Sequence, residues 1–491
     1  MNKIYKVTII LTTTLLVLQS CAVKKYIPED EKLYIGASVV IESDSLIKNQ
    51  SLLESVLEEA LRPMPNKKLL GMRPGLHYYY KMQQEKPGFI NRFLYKQFGE
   101  EKPVYKSDVK PYEVESILLN RMENRGFFYS VATSKFEEEE KEALANYFVR
   151  AITPYTIASY QLDTLPQPFY SEIKQSVTKT RLSKGMHFDL SNMKMERERI
   201  DSELKQNGYY NFNSSFLLFE ADTNQYDKKR FDLFLRLKKD VPKKSIVPYI
   251  ISKINVYAKY DAQDSTVNDV VRFNEKNFIN STDFFKPKHL DPFITLEEGQ
   301  HYSPENSKNT ARRLSAIGAY KFVNIQYKEQ DSLLSDSLGI LEANIFLSPL
   351  NKRALRIQLQ AVSKSNNFAG PGISLTYSNR NLFNGGETLN TTASFGYEVQ
   401  IGSGSNSGRS SADLGLKSEL IFPRVIFPIK INSDFFKYDI PKTKTSVSID
   451  YLRRSQLYTL LSGTAQFGYI WQANRYVTHE IIPINKLYQI F

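Results

Sequence analysis

The stretch 387–401, ETLNTTASFGYEVQI, constrains the chain more than any other. Leu389, Thr391, Ala393, Phe395, Tyr397, Val399 and Ile401 alternate with Asn390, Thr392, Ser394, Gly396, Glu398 and Gln400. Successive side chains of a strand point to opposite faces, so the spacing predicts a long ribbon, apolar on one side and polar on the other. A strand needs roughly 9–11 residues to cross a bilayer core at the usual tilt, and this one has them. One such strand also fits a soluble sheet, so its neighbours decide. From Ala354 onward the alternation is sustained, over 354–362, 373–377, 412–422, 445–452 and 458–471. The tight turn NGG at 384–386 and the longer GSGSNSGRSS loop predict short turns on one rim and longer loops on the other, as transmembrane barrels have. Tyr397, Phe422, Tyr458 and Trp471, near strand ends, are expected in aromatic girdles at the membrane interfaces. These segments make about six strands, fewer than the eight of the smallest single-chain barrels. The stretch 484–491 reads as a poor strand because its alternation is broken, and the barrel is expected to be incomplete, its chain truncated at the C-terminus.

The first residues set the compartment. Lys3 and Lys6 precede an apolar run, 7–18, that is too short to span a membrane as a helix, and together they predict a secretory signal over 1–20. The run ends in Leu-Gln-Ser-Cys, and Cys21 is the chain's one cysteine. It has no disulfide partner, which leaves a buried free thiol or the acylated first residue of a mature bacterial lipoprotein. The segment resembles a lipobox, although Gln19 is a less usual choice, and Ala22 resembles the sorting position of outer-membrane lipoproteins. No later run of about 18 apolar residues predicts a spanning helix.

Composition narrows the class. Aromatics make up 13% of the 491 residues, with 31 Tyr and 30 Phe against one Trp, while mean hydropathy is only −0.40. That balance suits a β-rich surface or envelope protein. The net charge of +12 comes from bases interspersed with acids rather than clustered, and a secreted chain does not meet nucleic acid. The five histidines (His77, His187, His289, His301 and His479) are scattered without metal-ligand spacing. Asn406 stands where a nucleophile-elbow serine would sit, and no phosphate- or dinucleotide-binding fingerprint is present. No enzyme, metal or cofactor is expected.

Between Cys21 and the alternating segments the chain repeats itself three times. Each pass runs through an amphipathic helix, a glycine, an aromatic pair or near-pair, and a strand. Gly126 is followed by Phe127 and Phe128, Gly208 by Tyr209 and Tyr210, and Gly318 by Ala319 and Tyr320. Ile117, Leu118 and Met122 recur at helical spacing, and Gly126 then sits where a helix ends in a left-handed residue. The aromatic after it can fold back onto the helix. Strands are expected before each helix pair, over 33–42, 155–165 and 245–257, and after it, giving the order β-α-α-β-β. The third repeat carries an insertion around 261–287, and the first carries one over 63–103, rich in Lys, Tyr and Pro, with helical pieces. That insertion could touch lipid headgroups near the anchor; a solvated face is expected instead. The acidic run 137–140 reads as a solvated turn.

These repeats resemble POTRA domains, and the chain resembles the Omp85 superfamily of outer-membrane assembly proteins, in particular its lipid-anchored branch related to the translocation and assembly module. The likeness rests on the start SCAVKKYIPEDEKLY, on the three helix-Gly-aromatic-strand units and on GPGISLTYSNRNLFNGGE. It implies POTRA-like domains over 21–152, 153–241 and 242–350, followed over 351–491 by the first part of a sixteen-stranded transmembrane barrel. It also implies a client-receiving role in the periplasm, with unfolded outer-membrane proteins pairing with POTRA sheet edges by strand addition. The repeats could alternatively be spacers. A TamB-like periplasm-spanning partner, outer-membrane lipid around the barrel, and a seam with one half near 353–362 are further implications. Two other readings stay open: a two-partner-type secretion porin, against which three repeats and a lipid anchor count, and an inactive remnant.

Overall fold

The computed structural model describes residues 23–490, apart from 45, 48, 70, 84–87, 99–100, 167–168, 227–228, 262, 264–268, 282–283, 331–336, 366, 402–408, 427–435 and 437. The signal segment, Cys21 and Asn406 lie outside the described residues. The chain divides into two compact units, Met1–Ile200 with Leu217–Lys238, and Asp201–Phe216 with Lys239–Phe491.

The first unit holds two three-stranded sheets. In the first repeat, β1 (Leu33–Ser43) is followed by α1 (Gln50–Glu58), α2 (Pro74–Met82), α3 (Phe89–Phe98) and α4 (Pro111–Glu123). Then come β2 (Val131–Glu138) and β3 (Glu142–Ala151), in the sheet order β1-β3-β2. The central β3 runs parallel to β1 and antiparallel to β2. Proline at its first helical position starts α4, where the missing N–H would be unpaired anyway. The helix buries Val114, Leu118 and Met122 against Tyr34, Phe127, Tyr147 and Val149. Ile117, expected in that stripe, is 40% exposed; Val114, four residues before Leu118, takes its place.

The second repeat has β4 (Thr156–Leu162), α5 (Phe169–Val177), α6 (Leu190–Gln206), β5 (Leu217–Asp222) and β6 (Arg230–Leu237), in the order β4-β6-β5. Its core gathers Ile157, Leu182, Met193, Phe231 and Leu233.

In the second compact unit, β7 (Tyr249–Tyr257) is followed by β8 (Val270–Phe273), β9 (Lys276–Ile279), α7 (Pro304–Ala316), β10 (Tyr320–Glu329) and β11 (Gly339–Pro349). These strands lie in the order β10-β11-β7-β9-β8. Within the insertion around 261–287, residues 270–279 form the hairpin β8–β9, which lengthens the sheet beyond β7. Among the described residues, the short helix Pro287–Leu290 and the 3-10 turn Asp291–Phe293 stand where the first helix of the pair was expected.

The chain then builds one antiparallel sheet from β12 (Arg353–Ser363), β13 (Phe368–Arg380), β14 (Thr388–Gln400), β15 (Ser410–Phe422), β16 (Lys442–Arg454), β17 (Tyr458–Gln472) and β18 (Thr478–Ile490), each paired with the next. Registered across it, Leu359, Ile373, Phe395, Leu414, Tyr451, Leu461 and Ile490 form one row. Ile357, Leu375, Ala393, Leu416, Ile449, Gly463 and Tyr488 form the next. The opposite face carries Gln358, Ser374, Ser394, Gly415, Asp450, Ser462 and Gln489 in register. The apolar face is open: Leu359 is 78% and Leu416 52% exposed. A soluble sandwich would bury such a face against a second sheet. The fold is therefore α+β repeats of the β-α-α-β-β type followed by an incomplete antiparallel barrel.

Three expectations are corrected. First, 484–490 is a full strand and the sheet has seven strands, not six. A bulge opposite Gly468, where Phe467 pairs Ile484 and Tyr469 pairs Ile481, adds one residue to β18 around Pro483. The extra residue shifts the period, so Ile481 and Ile484 share a face and the alternation only looks broken. Second, the longest connection, 423–441, joins β15 to β16 and so lies on the same rim as the NGG turn; of its described residues, Phe436 and Tyr438 meet α7. Third, Tyr458 pairs with Arg454 on the polar face, so it is not part of an outward girdle, whereas Tyr397, Phe422 and Trp471 share the apolar face.

Candidate strand-pairing edges

Each repeat ends a helix at its marked glycine. Gly126 has φ +85°, and the Phe127 N–H donates to the Met122 carbonyl at 3.0 Å, closing the last turn of α4. A Cβ there would stand 2.8 Å from the Phe188 carbonyl oxygen, so glycine is required for both conformation and room. Phe127 is buried in the first core. Gly208 (φ +102°) and Gly318 (φ +81°) occupy the same place after α6 and α7. Tyr209 and Tyr320 are buried beside them. The glycine-aromatic pairs do not converge on one site; each fixes how its helix hands over to the next strand.

What the repeats share at their surface is one sheet edge covered at least at its start and the opposite edge left open along its length. In the first, the Tyr34 N–H donates to the Val104 carbonyl at 2.9 Å and the Lys106 N–H to the Lys32 carbonyl at 2.8 Å, so the chain just after the insertion covers the start of β1. In the second, 185–188 covers the start of β4: Ile157 N–H donates to Met186 O, Gly185 N–H to Ile157 O and Phe188 N–H to Tyr155 O, each at 2.8 Å. In the third, 299–302 pairs with β7 through Ile251 N–H to Gln300 O (2.9 Å) and Tyr302 N–H to Tyr249 O (2.9 Å), and β9 covers the rest. The opposite edges, β2, β5 and β10, make no backbone hydrogen bond on their outer side among the described residues. An unpaired edge is a template for another strand.

Of the three, β10 is the longest, with ten residues. Val323, Ile325 and Tyr327 hold it on the third core, while Phe322 stands 62% exposed. Lys321 and Lys328 on β10 and Lys135 on β2 are the charges that discourage open edges from pairing with one another. At the end of β2, hydrogen bonds from Lys106 and Lys32 hold the Glu138 carboxyl down at about 2.

The third repeat is built into the sheet that follows it. The Asn381 amide donates to the Phe284 carbonyl at 2.5 Å, and the Lys286 N–H to the Asn384 carbonyl at 2.9 Å. Glu387, 1% exposed, accepts from the Gly385 N–H (3.0 Å) and pairs with Arg424 at 2.5 Å. Burial pushes its pKa up, but the Arg424 guanidinium and the backbone amides outweigh that and hold it below the usual carboxylate range. From α7, Arg312 donates to the Tyr438 carbonyl (3.1 Å) and lies 3.8 Å from the ring centre, and Arg313 donates to the Phe436 carbonyl (2.6 Å). Ile440 enters the third core. Asp439 is buried there, and burial pushes its carboxyl above the usual range. Sequence reasoning missed this joint, although the aromatic-rich connection IFPRVIFPIKINSDFFKYDI was a visible signal that 423–441 is more than a turn.

No family model matches the sequence. No curated protein matches it. Among solved structures, the chain is similar to POTRA domains 3–5 of BamA from Haemophilus influenzae, at 12% identity over 65% of this chain and 99% of that one, with a TM-score of 0.29. It is also similar to BamA from Haemophilus ducreyi lacking POTRA domains 1–3, at 11% identity over 65% and 60%, with a TM-score of 0.33. CdiB from Acinetobacter baumannii matches at 10% identity over 64% and 58%, with a TM-score of 0.25. The chain thus spans about 60% of the length of those last two structures. All three scores are low.

Proposed function

We propose that this chain is an outer-membrane assembly factor of the Omp85 kind, close to the lipid-anchored TamL type, that receives unfolded outer-membrane proteins on its POTRA-like edges. The observation that carries the proposal is the pairing of two features in one chain. Three successive sheets each leave the same edge strand open, and a seven-stranded sheet exposes a continuous apolar face. Main-chain pairing at an open edge accepts many sequences, which suits a receptor for diverse clients. The apolar face runs along β14 from Leu389 to Val399. At ~3.3 Å per residue that is about 33 Å, or about 25 Å at a tilt of ~40°, the height of a barrel's lipid-facing band.

In this reading the repeats lie in the periplasm, the sheet lies in the outer membrane, and Cys21 carries the lipid anchor. Open edges are not tolerated in lipid, so closure of the sheet beyond β12 and β18, by further strands or by a partner's, is part of the proposal. A TamB-like partner would deliver clients across the periplasm. The role is binding and insertion, without catalysis. Depletion of the protein followed by a catalogue of the outer membrane tests it: broad loss of barrel proteins is expected. Loss of one exported protein alone would favour a secretion porin instead, and no change would sink the assembly role.

A further inference from the structure

The insertion over 63–103 carries eight lysines and arginines against three glutamates, a net of +5. Its helix α3, FINRFLYKQF, has no acidic residue. Four residues apart, Phe89 and Phe93 stand 83% and 59% exposed, and Arg92 and Lys96 are exposed beside them on the same side. The other side, with Leu94 and Phe98, turns inward, and the Phe98 ring stacks on Tyr78 of α2 at 5.9 Å. Two phenylalanines in water among cations are a poor surface for a solvated helix and a good one for an anionic bilayer, where rings enter the headgroup boundary and bases meet phosphates.

The second observation is where this helix sits along the chain. Val23 and Ile27 are buried against Leu76 of α2, Tyr26 stacks on Tyr80 at 5.5 Å, and Lys24 pairs with Glu142 at 2.9 Å. Residues 23–27 are therefore held on α2 and β3, beginning two residues after Cys21, and two residues of chain reach at most ~7 Å. Packed helix axes lie ~8–10 Å apart, so α3 is one helix away from that point. A lipid on Cys21 would hold this surface next to the membrane.

We propose that α3 is an interfacial helix that rests its Phe89–Phe93 face on the anionic phospholipid surface of the outer membrane, acting with the acylated Cys21 to fix the first repeat against the bilayer. The proposal rests on the reading of Cys21 as the anchor. A diacylglyceryl cysteine with a further N-acyl chain supplies more than one chain for attachment, so the part left to the helix is to fix how the first repeat lies on the bilayer.

The full-length protein in its own envelope is the test. Phe93→Cys is labelled with a polarity-sensitive fluorophore and compared with Tyr112→Cys, at another exposed aromatic position of the first repeat. Mass spectrometry of the N-terminal peptide reads acylation of Cys21 separately. Blue-shifted emission at 93, quenched by nitroxide-bearing phospholipid and absent at 112, is expected, and Arg92→Glu with Lys96→Glu should return emission at 93 to that at 112. Acylated Cys21 with water-like emission at 93 would overturn the interfacial helix while leaving the anchor intact. Lipid-quenched emission at 93 on an unacylated chain would remove the anchor and keep the helix. A blue shift that lipid nitroxides do not quench would place a protein on this face and overturn the proposal.

Discussion

Gly126 leaves no space for even a methyl group, since the Phe188 carbonyl and side chain lie against its Cα and its φ is positive. Gly126→Ala is expected to destabilise the first compact unit by about 1–3 kcal/mol, read by thermal unfolding; an unchanged midpoint would contradict the close approach. The buried Glu387–Arg424 pair makes a different kind of demand. Removing one partner strands a charge, so Arg424→Ala should cost on the order of 3 kcal/mol. Its pH dependence follows from the depressed carboxyl. The stabilisation is fully present above the unfolded pKa of ~4.3 and is lost as pH falls through the lower folded value. Asp439 has the opposite sign. Its raised pKa means that the folded state resists ionisation, so the cost appears as pH rises above ~3.9 and is complete above the folded value. Asp439→Asn should therefore raise the melting temperature at pH 7 and give no gain below pH ~3.

Single strands of the large sheet were legible wherever the period of two ran unbroken, as in β14. The bulged β18 was not, because one inserted residue inverts the apparent pattern while preserving the face in space. A local rule cannot see that Gly468 on β17 makes room for the bulge: a Cβ there would lie 2.5 Å from the Ile481 carbonyl oxygen. The two faces make a prediction of their own. Leu416→Lys places a charge mid-height on the apolar face and should cost about 2–4 kcal/mol of membrane stability, read as loss from urea-washed membranes. Ser374→Lys, on the polar face, should be retained like the parent. Equal behaviour of the two would show that the apolar face does not meet lipid.

Across the whole molecule, the order of repeats and the change to a long antiparallel sheet could be read from the chain, because both are written in local periodicity and in helix-terminating glycines. Which edge each repeat leaves open could not. It depends on loops far along the chain, such as Val104 against Tyr34 or Gln300 against Ile251, whose own sequences carry no strand signal. The joint around α7 was hidden for the same reason: Arg312 and Arg313 meet carbonyls more than 120 residues later. Arg312→Ala with Arg313→Ala should free the 423–441 connection, which limited proteolysis would detect as faster cleavage there.

The most direct measurement of client reception is site-specific photo-crosslinking in growing cells. A photo-reactive residue is placed at Gln326 on the open edge strand β10, and, as control, at Lys253 on the interior strand β7. Reception by strand addition predicts adducts at 326 with many newly made outer-membrane proteins, and few at 253. Adducts absent from 326, or equal at both positions, would contradict it.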